Sequence, residues 1–354
     1  AALVEELGAD AAFSYFAGVL DHADRSFRAE IGRLPDGVYA AEDRSDNDCF
    51  EFRDVTVRLR LTITGDLVAI DFSGSDQQIR GFKNSTLGNT YSAVYTALAS
   101  FLDPALPHNE GAFRCVDVIA PSGSIVNAHE GASTTMCTVF FAHEIIHAVW
   151  KALAQADPAR ACAGWAKNVF GLSVGREESG QQYIFYHGAA AAGAGAVEAR
   201  DGFNQIGHVC TLGGLTMPNV EVYEQLYPVQ FQRQEFRTDA AGPGKWRGGS
   251  GCDYEVDIHT PATHSFRGEG LDYETGYGVN GGGNGAAGVM HLREEGVETA
   301  TPKFGLATTG PVRFITQSPG GGGFGDPLDR DPERVLRDYR DGIVSKVSAI
   351  DIYG

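Results

Sequence analysis

The stretch VTVRLRLTITGDLVAIDFSG, residues 55–74, alternates apolar and polar side chains on both sides of Gly65 and Asp66. A period of two around a Gly-Asp turn is typical of a β-hairpin with one buried face and one solvated face. Residues 10–32 and 90–101, on either side of it, instead carry apolar residues at helical spacing. A further strand is predicted in CVDVIAP, residues 115–121, so the N-terminal part mixes helices with strands.

The second half of the chain is rich in glycine. Short strand-like runs between residues 166 and 316 are separated by glycine-rich connections such as GAAAAGAGA (188–196), LGGL (212–215) and GGGNGAAG (281–288). Glycine is too frequent there for long helices, and a helical pattern returns only in DPERVLRDYRDG, residues 331–342. We therefore predict a mixed α+β fold: an N-terminal α/β part, residues 1–160, and a β-rich, glycine-rich part, residues 161–354, with a C-terminal helix.

Charge and composition exclude several classes of protein. The 46 acidic and 28 basic residues give a formal net charge of −18, so a nucleic acid or an anionic membrane would be repelled. No apolar run is long enough to cross a membrane. The six cysteines are scattered without a CxxC pair, which is typical of reduced thiols in a cytoplasmic protein. The chain begins without Met inside an amphipathic pattern, and we expect a fragment or one piece of a split subunit.

The segment FFAHEIIHAVWKAL, residues 140–153, fits the His-Glu-x-x-His pattern of zinc peptidases at His143 and His147. Its apolar residues recur at helical spacing, so we predict a helix that runs to about residue 155. A catalytic zinc needs a third protein ligand, and the metzincin pattern requires glycine and histidine where this chain has Trp150 and Leu153. We interpret the histidine pair as incidental to zinc proteolysis.

The glycine run SPGGGGFGDP, residues 318–327, invites comparison with phosphate-binding loops. It lacks the Gly-Lys-Ser/Thr element and does not open a helix with GxGxxG, so we predict a flexible or tightly turned loop. The segment GPGKWRGGSG, residues 242–251, is either an anion contact through Lys245 and Arg247 or a hairpin with two solvated cations. No GxSxG nucleophile elbow occurs in the sequence.

Six stretches follow one another along the chain: LPDGVYAAED (34–43), AIDFSGSDQQIRGFKNSTLGNTYSAVYTAL (69–98), LPHNEGAFRCVDVIAPSGSIVN (106–127), TMPNVEVYEQLYPVQF (216–231), GPGKWRGGSG (242–251) and SPGGGGFGDPLDRDPERVLRDYRDGIVS (318–345). In sequence, order and spacing they resemble the hydantoinase B/oxoprolinase family. The resemblance extends from about residue 10 to the end of the chain. Six collinear motifs are far more specific than one His-Glu-x-x-His match.

The resemblance implies a hydrolase that acts on C–N bonds in cyclic amides and consumes ATP. A partner A subunit, an ATPase of actin-like fold, binds the ATP and phosphorylates the carbonyl oxygen. The B subunit then helps water to open the ring, in a hetero-oligomer that also uses a divalent metal. One alternative is a subunit of an ATP-dependent ketone carboxylase of the acetone or acetophenone type. Another is a non-catalytic scaffold that holds the ATPase.

Two departures from the family pattern bear on the site. The family's metal-ligand segment, with Asn-Asp-Pro and His-x-x-Asp, has no equivalent in this chain. The metal ligands are therefore expected in an absent N-terminal segment, and no residue of this chain is assigned as one. In addition, ASTTMCTVFFAHEIIH, residues 132–147, stands where many hydantoinases have a Gly-Asn-x-Glu-Thr stretch, which leaves room for the carboxylase alternative.

Polar residues inside or near the six motifs are the candidate site residues. We predict as catalytic Glu110, Asp201, His208 and Glu221, and as substrate-binding Asn84, Asn109 and Asn219. The residues alone leave other roles open. Glutamates in the loop and helix starts are compatible with capping, and an isolated histidine is compatible with a position in the core or in a turn.

Overall fold

The protein is described by a computed structural model that covers residues 2–167, 171–211, 214, 216–271 and 273–354. The chain forms two compact units. The first unit is Ala1–Ser45 with Asp54–Arg160, and the second is Asp46–Arg53 with Ala161–Gly354. The mixed α+β fold predicted from the sequence is confirmed: helices and a mixed sheet come first, followed by antiparallel sheets and C-terminal helices.

The first unit contains four α-helices and a four-stranded sheet in its described residues. In chain order the elements are α1 (Ala2–Leu7), α2 (Ala9–Ile31), β1 (Gly37–Ser45), β2 (Val55–Thr64), β3 (Leu67–Asp71), α3 (Leu87–Phe101), β4 (Val116–Ile119) and α4 (Phe141–Ala156). The sheet order is β1-β2-β3-β4. The first three strands are antiparallel, and β4 runs parallel to β3. The predicted hairpin, the helices and the strand after Pro107 are all present.

The hairpin forms because its alternation matches the pleat of a strand, which sends successive side chains to opposite faces. In β2, Val57, Leu59 and Leu61 are buried, whereas Arg58 and Arg60 between them are exposed. Helix α4 packs on β1 and β2 and buries almost every one of its side chains. One face of this sheet is therefore covered and the other carries polar residues.

The second unit is built mainly from two antiparallel sheets. Its elements are β5 (Gly171–Arg176), β6 (Gln182–Tyr186), α5 (Val220–Leu226), β7 (Val229–Phe236), β8 (Cys252–Ile258), β9 (Ala262–Arg267), β10 (Val289–Glu294), β11 (Val297–Ala300), β12 (Phe304–Thr309), β13 (Val312–Gln317), α6 (Pro332–Arg340) and α7 (Lys346–Asp351). The sheet orders are β11-β10-β13-β8-β7 and β12-β9-β5-β6. One apolar core, with Phe185, Tyr254, Phe266 and Phe314 among its members, draws side chains from both sheets.

Two segments of the second unit can be compared with the predictions made from the sequence. The predicted helix at 331–342 is present as α6, but a second C-terminal helix, α7, follows it. The glycine-rich connection predicted at 212–215 lies outside the described residues except for Gly214. None of the described helices is both long enough and apolar enough to cross a membrane.

Five glycine-rich segments pack side by side in the second unit: 163–166, 193–203, 240–251, 276–286 and 319–325. We call them the glycine bundle. Successive amides of its central segment donate to different neighbours, with bonds from Gly320 to Ala286 (3.1 Å), Gly321 to Gly249 (2.9 Å), Gly322 to Gly164 (2.9 Å) and Gly323 to Gly283 (2.9 Å). The first and fourth of these bonds reach the same segment, 276–286. The direction in which the backbone amides point therefore repeats after three residues. Three residues per turn without internal hydrogen bonds is the geometry of a polyproline II helix.

The prediction of a flexible or tightly turned loop at 318–327 is wrong for residues 318–324, which are buried, with residues 319–324 packed inside the glycine bundle. A Cβ added to Gly320, Gly321 or Gly322 would lie less than 3.0 Å from the backbone of a neighbouring segment. Glycine is needed here for close approach of chains rather than for conformational freedom. Local sequence cannot distinguish these two uses of glycine, because the neighbouring segments come from distant parts of the chain.

A buried hydrogen-bond chain joins the two sheets of the second unit. Tyr254 contacts His187 Nδ1 (3.1 Å), His187 Nε2 contacts Ser173 (2.8 Å), Ser173 contacts His264 Nδ1 (2.9 Å) and His264 Nε2 contacts Thr309 (2.9 Å). The Thr309 hydroxyl donates to the Gly310 carbonyl, which only accepts. His264 therefore donates from Nε2 to Thr309. Because burial keeps both histidines neutral, each Nδ1 accepts, and every earlier member donates towards Thr309.

This chain of bonds predicts a loss of stability in mild acid. Burial lowers the pKa of His264 from 6.5 to about 4 and holds that of His187 well below 6.5. Between pH 6.5 and 4 the histidines bind protons in the unfolded state but not in the folded state. The free energy of unfolding therefore has its largest value above pH 6.5 and decreases as the pH drops towards 4. His264 alone contributes up to about 3 kcal/mol. Urea unfolding of the chain at several pH values measures the slope, and His264→Gln should flatten it; an unchanged slope would contradict the assignment.

Candidate active site

A line of polar side chains runs between β1 and α4 in the first unit. Strand β1 sends alternate residues towards the helix, and Asp43 and Ser45 are two of them, because side chains two residues apart in a strand share a face. On α4, His143, His147 and Lys151 follow at intervals of four residues and so share a face of the helix. We call this line the polar seam.

The centre of the polar seam is a hydrogen-bonded chain of three side chains. His147 Nδ1 lies 2.7 Å from Asp43 Oδ2, and His147 Nε2 lies 3.1 Å from His143 Nε2. The two rings meet edge to face, with centroids 4.3 Å apart. Both imidazoles are buried, His147 completely. Lys151 Nζ, 3.8 Å from Asp43 Oδ1, adds a positive charge beside the carboxylate.

The chemistry of the three groups restricts where their protons lie. An ionised carboxylate only accepts, so His147 must donate its Nδ1 proton to Asp43. A single proton then lies between the two Nε2 atoms. When His147 is neutral, that proton belongs to His143, and the lone pair of His143 is on Nδ1. The arrangement matches the Asp-His part of a catalytic triad, in which the acid fixes the tautomer and stabilises the imidazolium.

A buried cation lies at the end of β1. Lys83 Nζ donates to Ser45 Oγ (2.9 Å) and lies 4.6 Å from the centre of the ring of Phe140, the residue before α4. Only 2% of Lys83 is exposed. Sequence reasoning missed Asp43, Ser45 and Lys83 as site residues. Asp43 and Ser45 lie on β1, a strand that the sequence analysis did not predict, so their inward-facing positions were not recognised.

The described residues do not fit a metal centre. No group of three or more His, Cys, Asp or Glu side chains that could hold a metal ion occurs among them. The divalent metal implied by the family resemblance therefore has no ligand set in the described part of the chain. The interpretation of His143 and His147 as incidental to zinc proteolysis stays a prediction, although the pair has a defined hydrogen-bond partner in Asp43.

Three of the predicted site residues lie in the first unit. Asn84 is fully buried, and its amide bonds to backbone groups of Ile79, Gly81 and Ser133, so it organises the loop before α3. Asn109 accepts from the Gly111 amide in a turn, and Glu110 beside it is exposed. These surroundings give both asparagines a structural role, and their substrate-binding role stays a prediction.

The other four predicted site residues lie in the second unit. Burial would raise the pKa of Asp201, but a bidentate bond from Arg330 lowers it overall. Burial lowers the pKa of His208 to about 4, so this histidine is neutral at pH 7. Asn219 caps α5 by accepting from the Val222 amide, and Glu221 is exposed in the first turn. Asp201 is thus held in an ion pair with Arg330. At the start of α5, Asn219 is the N-cap and Glu221 is the acidic residue of the first turn.

Comparison with known proteins adds an independent line of information. The family model described as hydantoinase B/oxoprolinase matches residues 1–327. The beta subunit of the caprolactamase of Pseudomonas jessenii is 33% identical over 371 residues, covering 99% of this chain and 62% of the relative. The B subunit of a putative D-/L-hydantoinase of Pseudomonas sp. (strain NS671) is 27% identical, with coverages of 99% and 61%.

Solved structures show the same relationship. The crystal structure of the ATP-dependent caprolactamase from Pseudomonas jessenii matches with a TM-score of 0.88 and 32% identity, over 99% of this chain and 62% of that chain. A nucleotide-free acetone carboxylase structure matches with a TM-score of 0.81 at 21% identity, over 99% of this chain and 53% of that chain, and shows a shared fold alone. The chain thus spans about three fifths of the length of the relatives it matches first.

Proposed function

The chain belongs to the hydantoinase B/oxoprolinase family, and from this we propose that it works in a B-type subunit of an ATP-dependent cyclic amide hydrolase. The observation that carries the proposal is the similarity to the caprolactamase beta subunit, 33% identity that extends over 99% of this chain. A lactam or a related cyclic amide is the proposed substrate. Because the chain spans only 62% of that relative, the activity is proposed for the complete enzyme.

We propose a division of labour between two subunits. An A-type ATPase partner binds ATP and phosphorylates the amide oxygen, which turns a poor electrophile into one that water attacks with the help of a general base. The B-type subunit opens the ring. The glycine bundle supports this division, because the glycine run at 318–327 packs against other segments and has no Lys-Ser/Thr for a nucleotide.

The same proposal includes a hetero-oligomer in the cytoplasm and a divalent metal. The relative's description as a beta subunit supports the hetero-oligomer. Reduced thiols support the compartment, since Cys115, Cys137 and Cys252 are free thiols. The metal rests on the family resemblance alone.

Reconstitution tests the proposal. The complete B-type subunit should co-purify with its A-type ATPase, and the complex should hydrolyse ATP only when a cyclic amide such as caprolactam, hydantoin or 5-oxoproline is present, with a ring-opened acid as product. ADP and product are measured in parallel by enzymatic coupling and mass spectrometry. The B-type subunit alone serves as the control and should be inactive, because it lacks the phosphorylating partner.

Three other results would each contradict the proposal in a recognisable way. ATP hydrolysis that depends on a ketone and bicarbonate would move the protein to the carboxylase alternative. A stable complex without turnover of any cyclic amide would favour the scaffold. Zinc-dependent cleavage of casein that Glu144→Gln abolishes would support the peptidase interpretation of His143 and His147.

A further inference from the structure

We propose that the open face of the sheet in the first unit binds small amino carboxylates, with Arg60 as the partner of the carboxylate and Asp71 as the partner of the ammonium group. A groove of about 630 Å³ lies on this face, within the usual size range of small-molecule sites. Strands β1, β2 and β3 and the loop after β3 line it, and we call it the sheet groove. It lies on the face opposite to the polar seam, because Glu42 of the groove and Asp43 of the seam are consecutive residues of β1.

The register of the sheet places a small side chain and an acidic side chain on the two sides of Arg60. Arg60 of β2 lies opposite Ala40 of β1 and opposite Asp71 of β3. Side chains that face each other across neighbouring strands are about 5 Å apart. Ala40 carries only a methyl group, so a ligand has room beside the exposed Arg60 on that side, while Asp71 supplies a negative charge on the other side.

The two arginines of the sheet groove differ in their partners. Arg58 donates to Glu42 Oε2 (3.0 Å) and to Asp76 Oδ1 (2.8 Å), so its charge is paired. Arg60 has no hydrogen-bond partner and no carboxylate within 4.0 Å among the described residues. A guanidinium carries five N–H donors in a planar fork that matches a carboxylate. Within the described part of the groove, Arg60 is therefore the arginine that can bind a carboxylate without breaking an ion pair.

Asp71 is ionised and held in place, but one of its oxygens is available. The amide of Ser73 (2.8 Å) and its hydroxyl both donate to Asp71 Oδ1. These two bonds lower the pKa of Asp71, and the positive charge of Arg60 lowers it further. Oδ2 accepts no hydrogen bond from the described residues. Asp71 and Arg60 therefore present opposite charges to the same groove without forming an ion pair with each other in the described structure.

An amino carboxylate matches this pair of charges. Its carboxylate can accept two parallel bonds from Arg60, and its ammonium group can donate to Asp71 Oδ2. A simple anion such as phosphate fits less well, because Asp71 and Glu42 would repel its charge. A ring-opened lactam carries both a carboxylate and an amine, so the sheet groove suits the product of the proposed reaction rather than the neutral ring. This link to the product rests on the proposed function, whereas the binding chemistry does not.

Calorimetric titration of the full chain with 6-aminohexanoate tests the site. Arg60→Gln should weaken binding by about tenfold to a hundredfold, because it removes a charge-assisted hydrogen bond. Asp71→Asn keeps the shape of the side chain and should weaken binding of 6-aminohexanoate by about tenfold. The same variant should bind hexanoate as well as the wild type or more tightly, because hexanoate has the carboxylate but no ammonium group. Circular dichroism checks that both variants are folded.

Arg114→Gln is the matched control, because Arg114 is an exposed arginine of the same unit that pairs with Asp21 outside the groove. It should leave the affinity unchanged. The proposal would be overturned by a wild-type chain that does not bind 6-aminohexanoate, or by equal affinities of Arg60→Gln and the wild type. Displacement of 6-aminohexanoate by an equal concentration of phosphate would overturn it in favour of a simple anion site. Binding in a complete complex that lacks amide-dependent ATP hydrolysis would refute the proposed function and leave the binding site standing.

Discussion

Replacing Gly321 by alanine should prevent the second unit from reaching its native fold. The new Cβ would lie less than 3.0 Å from the backbone of Ala194 and Gly195 in a neighbouring segment. Backbone atoms cannot rotate aside as a side chain would, so the segments must separate and break the bonds that Gly321 makes to Gly249 and Gly242. We expect a cost on the order of 5 kcal/mol, a large fraction of the stability of a typical domain.

Urea unfolding followed by circular dichroism measures this effect, with soluble expression as a first indication. Gly18→Ala is the control, because Gly18 lies inside α2 and an added Cβ there meets no atom within 4 Å. Alanine is the better helix former, so this variant should be as stable as the wild type or more so by about 1 kcal/mol. Equal stability of Gly321→Ala and the wild type would show that the glycine bundle is more loosely packed than described.

Replacing Arg330 by methionine should cost about 3–5 kcal/mol, because it removes the bidentate partner of the partly buried Asp201 and one of the two guanidinium partners of the buried Asp338. The Arg330 guanidinium, whose side chain is only 1% exposed, bonds to both oxygens of Asp201 (2.8 and 2.9 Å) and to Asp338 (2.7 Å). Arg247 also bonds to Asp338 (2.9 Å), which ties α6 to the segment at 242–251. The sequence predicted for residues 242–251 either an anion contact or a hairpin with two solvated cations. Both predictions are wrong for Arg247, because its guanidinium is buried and paired with Asp338.

The matched control for this prediction is Arg334→Met. The Arg334 side chain is 42% exposed and approaches Asp201 only to 3.5 Å, so its loss should cost less than about 1 kcal/mol. Chemical denaturation of both variants gives the comparison. Similar stabilities would mean that Asp201 and Asp338 find other partners. Comparing these two variants also distinguishes a structural role of Asp201 from a catalytic one. A loss of activity is evidence for a catalytic role only in a variant that remains folded.

Local sequence patterns predicted the local part of the fold. The period-two alternation in β2 and β3 and the helical spacing in α4 are properties of one segment each, and the structure confirms both. The glycine bundle was not predictable in this way. Its packing depends on five segments spread from residue 163 to residue 325, and each alone is as compatible with a loop as with a close-packed chain.

The candidate site shows the same limit. The sequence identified His143 and His147 through a metal-binding motif. It also predicted polar residues inside the family motifs as site residues. It contained no sign that Asp43 meets His147, because that contact depends on how α4 lies on β1. Long-range contacts of single side chains need the tertiary fold, whereas strands and helices follow from neighbouring residues.

The threefold repeat of the glycine bundle also governs which insertions and deletions the gene can tolerate. Loss of one residue within 319–325 would turn every later amide of that segment by a third of a turn, away from its present acceptor. Loss of three residues would shorten the segment but keep its remaining amides directed at the same neighbours. Length variation among proteins with this bundle should therefore occur in steps of three at these positions, and in any number in the loops that join the segments.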